Sequence, residues 1–177
     1  MVMEVRVGLF AGIFDGGGKL LLRRRKREGS EAPCLYEGDW ELPGGTMEEE
    51  NIWRARNEKI IGEELAREVE EETGLLIQVP PIPTMHPVLY IDKEKRIVDF
   101  AFIIPVGVIN QRPTKGENIY VSPKELKELA ERPEGERLVS GWGKRMCKMA
   151  LIAFTYSPNP QYREEAKRML LEIQQHQ

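Results

Sequence analysis

Residues 67–75 read REVEEETGL, with four glutamates and one arginine in the eight positions before the leucine. From Glu63 to Thr73 the apolar residues Leu65 and Val69 are four apart, with Ala66 beside Leu65, in a surface that is otherwise charged. That spacing predicts an amphipathic helix. Gly74 is placed as the C′ residue that ends it in a left-handed conformation. On such a helix Glu68 and Glu72 are i,i+4 and Glu68 and Glu71 are i,i+3, so three carboxylates share one patch. Like-charge neighbours of this kind cost a helix about 0.2–0.5 kcal/mol per pair. Arg67 reaches Glu71 one turn on and relieves part of that cost. Two readings follow from the octapeptide: a solvated acidic face, or a site for a hard divalent cation that prefers carboxylate oxygen.

The rest of the chain sets limits on both. Its 177 residues suit one domain with a modest extension. Hydrophobic residues at 41% and charged residues at 31% allow a packed core. A net charge of −3 and a pI near 5.6 argue against binding nucleic acid by bulk charge. No apolar run approaches the roughly 20 residues that cross a bilayer, and the start, MVMEVRVGLF, lacks a secretory pattern. Cys34 and Cys147 form no C-x-x-C pair, and His86 and His176 are too few for a histidine-built metal site. A soluble, cytoplasmic protein is expected.

Outward from the helix, residues 5–14 and 20–27 read as two strands joined by the DGGGK turn, a hairpin. Strands are also expected at 75–79, 87–91, 96–108 and 119–121. SPKELKELA opens a helix with Ser122 as N-cap, Pro123 first and Glu125 closing a capping box. Two more helices are expected, over 137–154 and 161–175. The order suggests an α/β sandwich with a helical C-terminal extension.

REVEEETGL matches at every position the second half of the Nudix signature, R-E-U-x-E-E-x-G-U with U a bulky aliphatic. LPGG, residues 42–45, resembles the usual lead into its first half. The resemblance covers about residues 4–131. It implies a Nudix-type α/β/α sandwich with a mixed β-sheet over residues 1–131, leaving 132–177 as a helical extension packed on the domain or on a dimer partner. One departure stands out. Gly45 and Arg67 are twenty-two positions apart where the pattern has fourteen, an apparent eight-residue insertion within EEENIWRARNEKIIG that leaves Glu50 and Glu58 out of register.

Carried over by position, the resemblance implies hydrolysis of the diphosphate linkage in a nucleoside diphosphate derivative, with Mg²⁺ or, in its place, Mn²⁺. Glu68, Glu71, Glu72 and the Gly44 carbonyl would ligate the metal, Glu68 or Glu71 would serve the attacking water, and Arg67 would orient the carboxylates. Glu117 resembles the further glutamate some members take from the loop before the last strand. Arg23 in RRRKR is a candidate phosphate contact, although strand alternation splits that basic run between two faces. Tyr90, Tyr120 and Trp40 are candidates for stacking on a base, and Asp99 is a lone acid in an apolar strand. The alternative is a Nudix-fold module that binds a nucleotide or a protein without turnover. No nucleic-acid or membrane partner is expected.

Overall fold

A strand has two hydrogen-bonding edges, and β1 (Glu4–Gly12) fills both. One pairs antiparallel with β4 (Gly44–Thr46). The other pairs parallel with β7 (Ile97–Pro105) in unbroken register from Glu4 opposite Ile97 to Gly12 opposite Pro105. The computed structural model describes residues 4–25, 36–47, 58–80, 84–92, 97–108 and 112–175. The chain gathers into two compact units, Met1–Ile13 with Pro43–Lys115, and Phe14–Leu42 with Gly116–Gln177.

In the first unit β6 (His86–Asp92) adds antiparallel to β7, giving a mixed sheet in the order β4-β1-β7-β6. The C-terminal halves of β1 and β7 are buried at Leu9, Ala11, Ala101, Ile103 and Ile104, the near-continuous apolar pattern of a strand covered on both faces. The long apolar run expected to form one strand to residue 108 breaks after Pro105. β8 (Gly107–Val108) then pairs with β5 (Ile77–Gln78).

Helix α1 (Glu58–Thr73) begins five residues earlier than its apolar spacing alone suggests. Ile61, Leu65, Val69 and Thr73 form a buried stripe at four-residue intervals, and α1 packs on β1, β4 and β5. Burying Leu65 and Val69 contributes about 1.5–3 kcal/mol each. Gly74 ends the helix as expected, with φ +71° and its N–H donating to the Glu70 carbonyl at 2.9 Å. The Thr114 and Lys115 amides then cap the Thr73 carbonyl at 2.8 and 3.1 Å.

The second unit holds β2 (Leu20–Arg24), β3 (Trp40–Glu41) and β9 (Asn118–Val121) in the order β3-β2-β9. The β1–β2 hairpin is therefore not formed. Its turn is real: Asp15 N–H donates to Lys19 O at 3.0 Å, and the Asp15 carboxylate accepts from the Gly17 and Lys19 amides. Beyond a single bridge from Phe14 to Leu20 the two strands part, because both edges of β1 are taken.

Helices α2 (Pro123–Ala130), α3 (Arg145–Phe154) and α4 (Pro160–Gln175) complete this unit. The helix expected from residue 137 starts only at 145, since Ser140, Gly141 and Gly143 all take positive φ. The rings of Phe14, Phe154 and Tyr162 pack in sequence, the first pair tilted at 6.1 Å and the second edge-to-face at 6.2 Å.

The capping box of α2 is present as read: Glu125 N–H donates to Ser122 Oγ at 3.3 Å and Ser122 N–H to Glu125 Oε2 at 2.7 Å. The Ser122 backbone bond first, and the Lys19 ammonium second, hold the Glu125 carboxyl below its ordinary range. A depressed folded value means that the contribution is present above the ordinary carboxylate pKa and is lost as pH falls through the folded one. Glu125→Ala should cost about 0.5–1 kcal/mol at neutral pH. In urea melts of both proteins that difference should vanish in acid. Among the described residues no helix is long and apolar enough to cross a membrane.

Candidate active site

The two glycines of LPGG let a strand and a charged helix approach closely. Gly44 is buried with φ +132°, a region open to glycine and hardly to other residues. A Cβ there would overlap the Leu9 carbonyl oxygen and lie 2.9 Å from Phe10 Cα. In this conformation the Gly44 N–H donates to Glu72 Oε2 on α1 at 2.9 Å. A Cβ on Gly45 would lie 2.9 Å from Glu68 Oε2, so the missing side chain makes room for that carboxylate. β4 is thus a floor under two glutamates of one helix.

The helix presents its acids in two tiers. Glu64, Glu68 and Glu72 follow one another at four-residue spacing beside the buried stripe and are half-buried. Glu71 stands outward, its side chain 60% exposed against 26% for Glu68. Arg67 bridges the tiers: Nη1 donates to Glu71 at 3.0 Å, while Nη2 donates to Glu64 at 3.0 Å and to Glu68. These bonds, Glu64's first and Glu71's next, hold the guanidinium above its ordinary pKa. One cation therefore offsets repulsion among Glu64, Glu68 and Glu71, and the Gly44 amide dipole serves Glu72.

As the side chains stand, no three acidic, histidine or cysteine side chains among the described residues converge closely enough to hold an ion. The donor set nevertheless fits a hard divalent cation. It offers oxygen ligands only, from residues one turn apart, over a backbone floor whose missing Cβ atoms leave Glu68 and Glu72 room. Convergence requires the outward Glu71 to turn from Arg67 toward the inner carboxylates, while Glu68 already has Oε2 over Gly45.

Residues 4–140, more than half of the chain, match the NUDIX domain family. The chain belongs to that family. Nudix pyrophosphohydrolases open phosphorus anhydrides and generally use divalent metal ions, so the enzyme class read from the signature stands. Among solved structures the chain is similar to a MutT Nudix hydrolase from Burkholderia pseudomallei, at 26% identity over 68% of this chain and 85% of that one, with a TM-score of 0.49. It is also similar to a MutT protein from Methanosarcina mazei Go1, at 22% identity over 97% of both chains and a TM-score of 0.46. An ADP-ribose pyrophosphatase from Streptococcus suis 89-1591 aligns at 18% identity over 87% of this chain and 94% of that one, TM-score 0.46. No curated protein sequence matches.

Within the first unit of this Nudix chain, Tyr90 on β6 stands opposite Asp99 on β7, which stands opposite Arg6 on β1. The three form a row across one face of the sheet, with Tyr90 48% exposed. Arg23 and Glu117 belong to the second unit. Arg23 Nη2 pairs with Glu41 at 2.7 Å, and the buried Glu41 also accepts from Arg25 at 3.0 Å. Glu117 accepts from Arg24 Nη1 at 2.9 Å.

Alternation along β2 does divide the basic run. Arg23 lies opposite Glu41 and Arg24 opposite Trp40, with the Arg24 guanidinium 5.9 Å from the Trp40 ring centre. Arg24 also donates to the carbonyls of Gly38 and Gly135, at 3.0 and 3.4 Å. It is a staple between loops. Tyr120 is half-buried on β9, which raises its phenol pKa.

The readings of Cys34, Glu50 and most of the eight-residue insertion fall on residues 26–35 and 48–57, outside the described residues. Two participants escaped the sequence reading. Gly45 was read as a signature letter and not as space for Glu68. Glu64 lies outside the signature, and the signal that finds it is its spacing, three before Arg67 and four before Glu68.

Proposed function

We propose that this Nudix chain hydrolyses the diphosphate linkage of a nucleoside diphosphate derivative with Mg²⁺, or Mn²⁺ in its place, at the carboxylate face of α1. The observation that carries the reading is the seating of Glu72 on the Gly44 amide and of Glu68 over Gly45. Glu68, Glu71, Glu72 and the Gly44 carbonyl would hold the ion. When bound, a divalent cation there supplies charge neutralisation to the diphosphate and acidifies an attacking water.

The chain's own residues do the rest. The Gly44 amide fixes one Glu72 oxygen against the backbone floor. Arg67 bridges Glu68 and Glu71 and offsets their repulsion in the absence of the ion. Glu68, or Glu71 beyond it, accepts a proton of the attacking water as the water oxygen bonds to one phosphorus. The bond from that phosphorus to the bridging oxygen breaks, the other phosphate leaves with that oxygen, and the carboxylate ends the step protonated. Arg23, Glu117 and Tyr90 are assigned to contacts with the rest of the substrate, each to be read as a change in KM with kcat preserved.

We place the enzyme in the cytoplasm on cysteine usage, two in 177 residues. Burial pushes the Cys147 thiol up to about 11, so it is inert. The domain is assigned to residues 1–131, with the C-terminal helices as an extension.

The test is a panel of (d)NTPs, ADP-ribose-like sugar nucleotides and dinucleoside polyphosphates with Mg²⁺, scored by product identity. Every active substrate should yield products of cleavage between two phosphates. Tight nucleotide binding with no turnover on any of them would establish the alternative, a binding module.

A further inference from the structure

Glu64 differs from the other surface acids of α1. The Lys59–Glu63 pair on the same helix is open to solvent, with side chains 76% and 62% exposed, and such pairs contribute little. Glu64 is 19% exposed, less than Glu68 at 26% or Glu71 at 60%. A carboxylate withdrawn that far from water needs a charged partner, and Arg67 is one, at 3.0 Å.

The geometry of that contact has a consequence for Glu68. Nη2 of a guanidinium carries two hydrogens, and here one is directed to Glu64 Oε2 and the other to Glu68 Oε1. Nη1 reaches forward to Glu71. The guanidinium is thus gripped from the turn before it and the turn after it. With Oε1 of Glu68 held by Nη2, its other oxygen, Oε2, is the one over Gly45. Without Glu64 the arginine has only forward partners, and the exposed Glu71 draws it off the inner tier.

We propose that Glu64 is a positioning residue of the carboxylate site, holding Arg67 so that Glu68 keeps Oε2 turned to the glycine floor. The inference rests on the reading of α1 as the metal face and adds to it a residue outside the signature.

Mn²⁺ binding to the substrate-free chain, followed by electron paramagnetic resonance, tests it without relying on turnover. Glu64→Ala should weaken Mn²⁺ about tenfold, the scale for residues that orient metal ligands. Its melting temperature should stay within a few degrees of the wild type. Glu64→Gln, whose amide oxygen still accepts from Nη2, should recover most of the affinity. In an Arg67→Ala background Glu64→Ala should cost nothing further, because two residues acting through one contact are not additive.

Wild-type affinity in Glu64→Ala overturns the proposal. So does a loss fully additive with Arg67→Ala, a Glu64→Gln variant as weak as Glu64→Ala, or a fall in melting temperature with affinity unchanged. Glu72→Gln is the control that separates the two levels. If it too binds Mn²⁺ as the wild type does, the metal face itself is misassigned and the role of Glu64 falls with it. If it loses Mn²⁺ while Glu64→Ala does not, only the positioning role is lost.

Discussion

Glu72→Gln is expected to lower kcat by about two to three orders of magnitude, the range for removing one preorganised electrostatic contact in an active site, while leaving the fold intact. Glu72 is set apart from its neighbours by its seat: the Gly44 N–H donates to Oε2 at 2.9 Å, so the carboxylate is fixed against the backbone floor. The substituted amide keeps an oxygen that can accept from Gly44 and loses the charge a cation needs. It also removes one member of a like-charge cluster, which should relieve about 0.2–0.5 kcal/mol per pair in the metal-free helix. Activity and stability therefore move in opposite directions, or stability stays level. Steady-state kinetics and a thermal melt on the same preparation read both. A parallel fall in melting temperature and activity would instead mark Glu72 as a structural residue.

The second large effect belongs to Gly44. An alanine there meets two penalties together. At φ +132° the backbone is one that L residues rarely adopt, costing on the order of 1–3 kcal/mol. Its Cβ would also overlap the Leu9 carbonyl, with Phe10 Cα at 2.9 Å, and these are main-chain atoms of β1 that cannot step aside without breaking its pairing with β7. A loss of about 3 kcal/mol or more is expected, a large share of the 5–15 kcal/mol that holds a domain folded. Urea unfolding of Gly44→Ala against wild type measures it, and wild-type stability would show that β4 does not run against β1 as described. Gly45→Ala is the useful contrast. The nearest atoms its Cβ would meet belong to the carboxylate end of the Glu68 side chain, at 2.9 Å, and not to the main chain, so the fold should survive while the carboxylate is displaced.

What the chain disclosed of itself follows the range of the forces involved. Helix α1, its Gly74 terminus and the capping box at Ser122 and Glu125 were legible because each is decided within a few residues. So was the mixed α/β class, through the nine matched positions of the signature. Strand partnership was not. The Asp15–Lys19 turn carries a hairpin's chemistry, yet β1 pairs in parallel with β7, about ninety residues away, and no local feature competes with a nine-residue register. Trp40–Glu41 and Gly44–Thr46 are too short to stand out as strands, and exist because longer strands beside them offer edges. The helix read from residue 137 failed for a local reason that was visible, Gly141 and Gly143 with positive φ between apolar residues of helical spacing.

At the site, the signature located the acids but not their ordering. That Glu68 and Glu72 are seated over glycines while Glu71 stands in solvent depends on how α1 rolls on β4. The grip of Glu64 on Arg67 was a matter of spacing that the signature's own letters drew attention away from.

The central claim is that this helix face performs metal-dependent cleavage of a phosphorus anhydride. Its most direct test is hydrolysis by the wild-type chain after removal of divalent metal with a chelator, followed by titration with Mg²⁺ and, separately, Mn²⁺. No turnover in the stripped protein and full recovery with either ion, at a concentration that Glu72→Gln raises sharply, is the predicted result. Hydrolysis undiminished by the chelator, or recovery at the same metal concentration in Glu72→Gln, would contradict it.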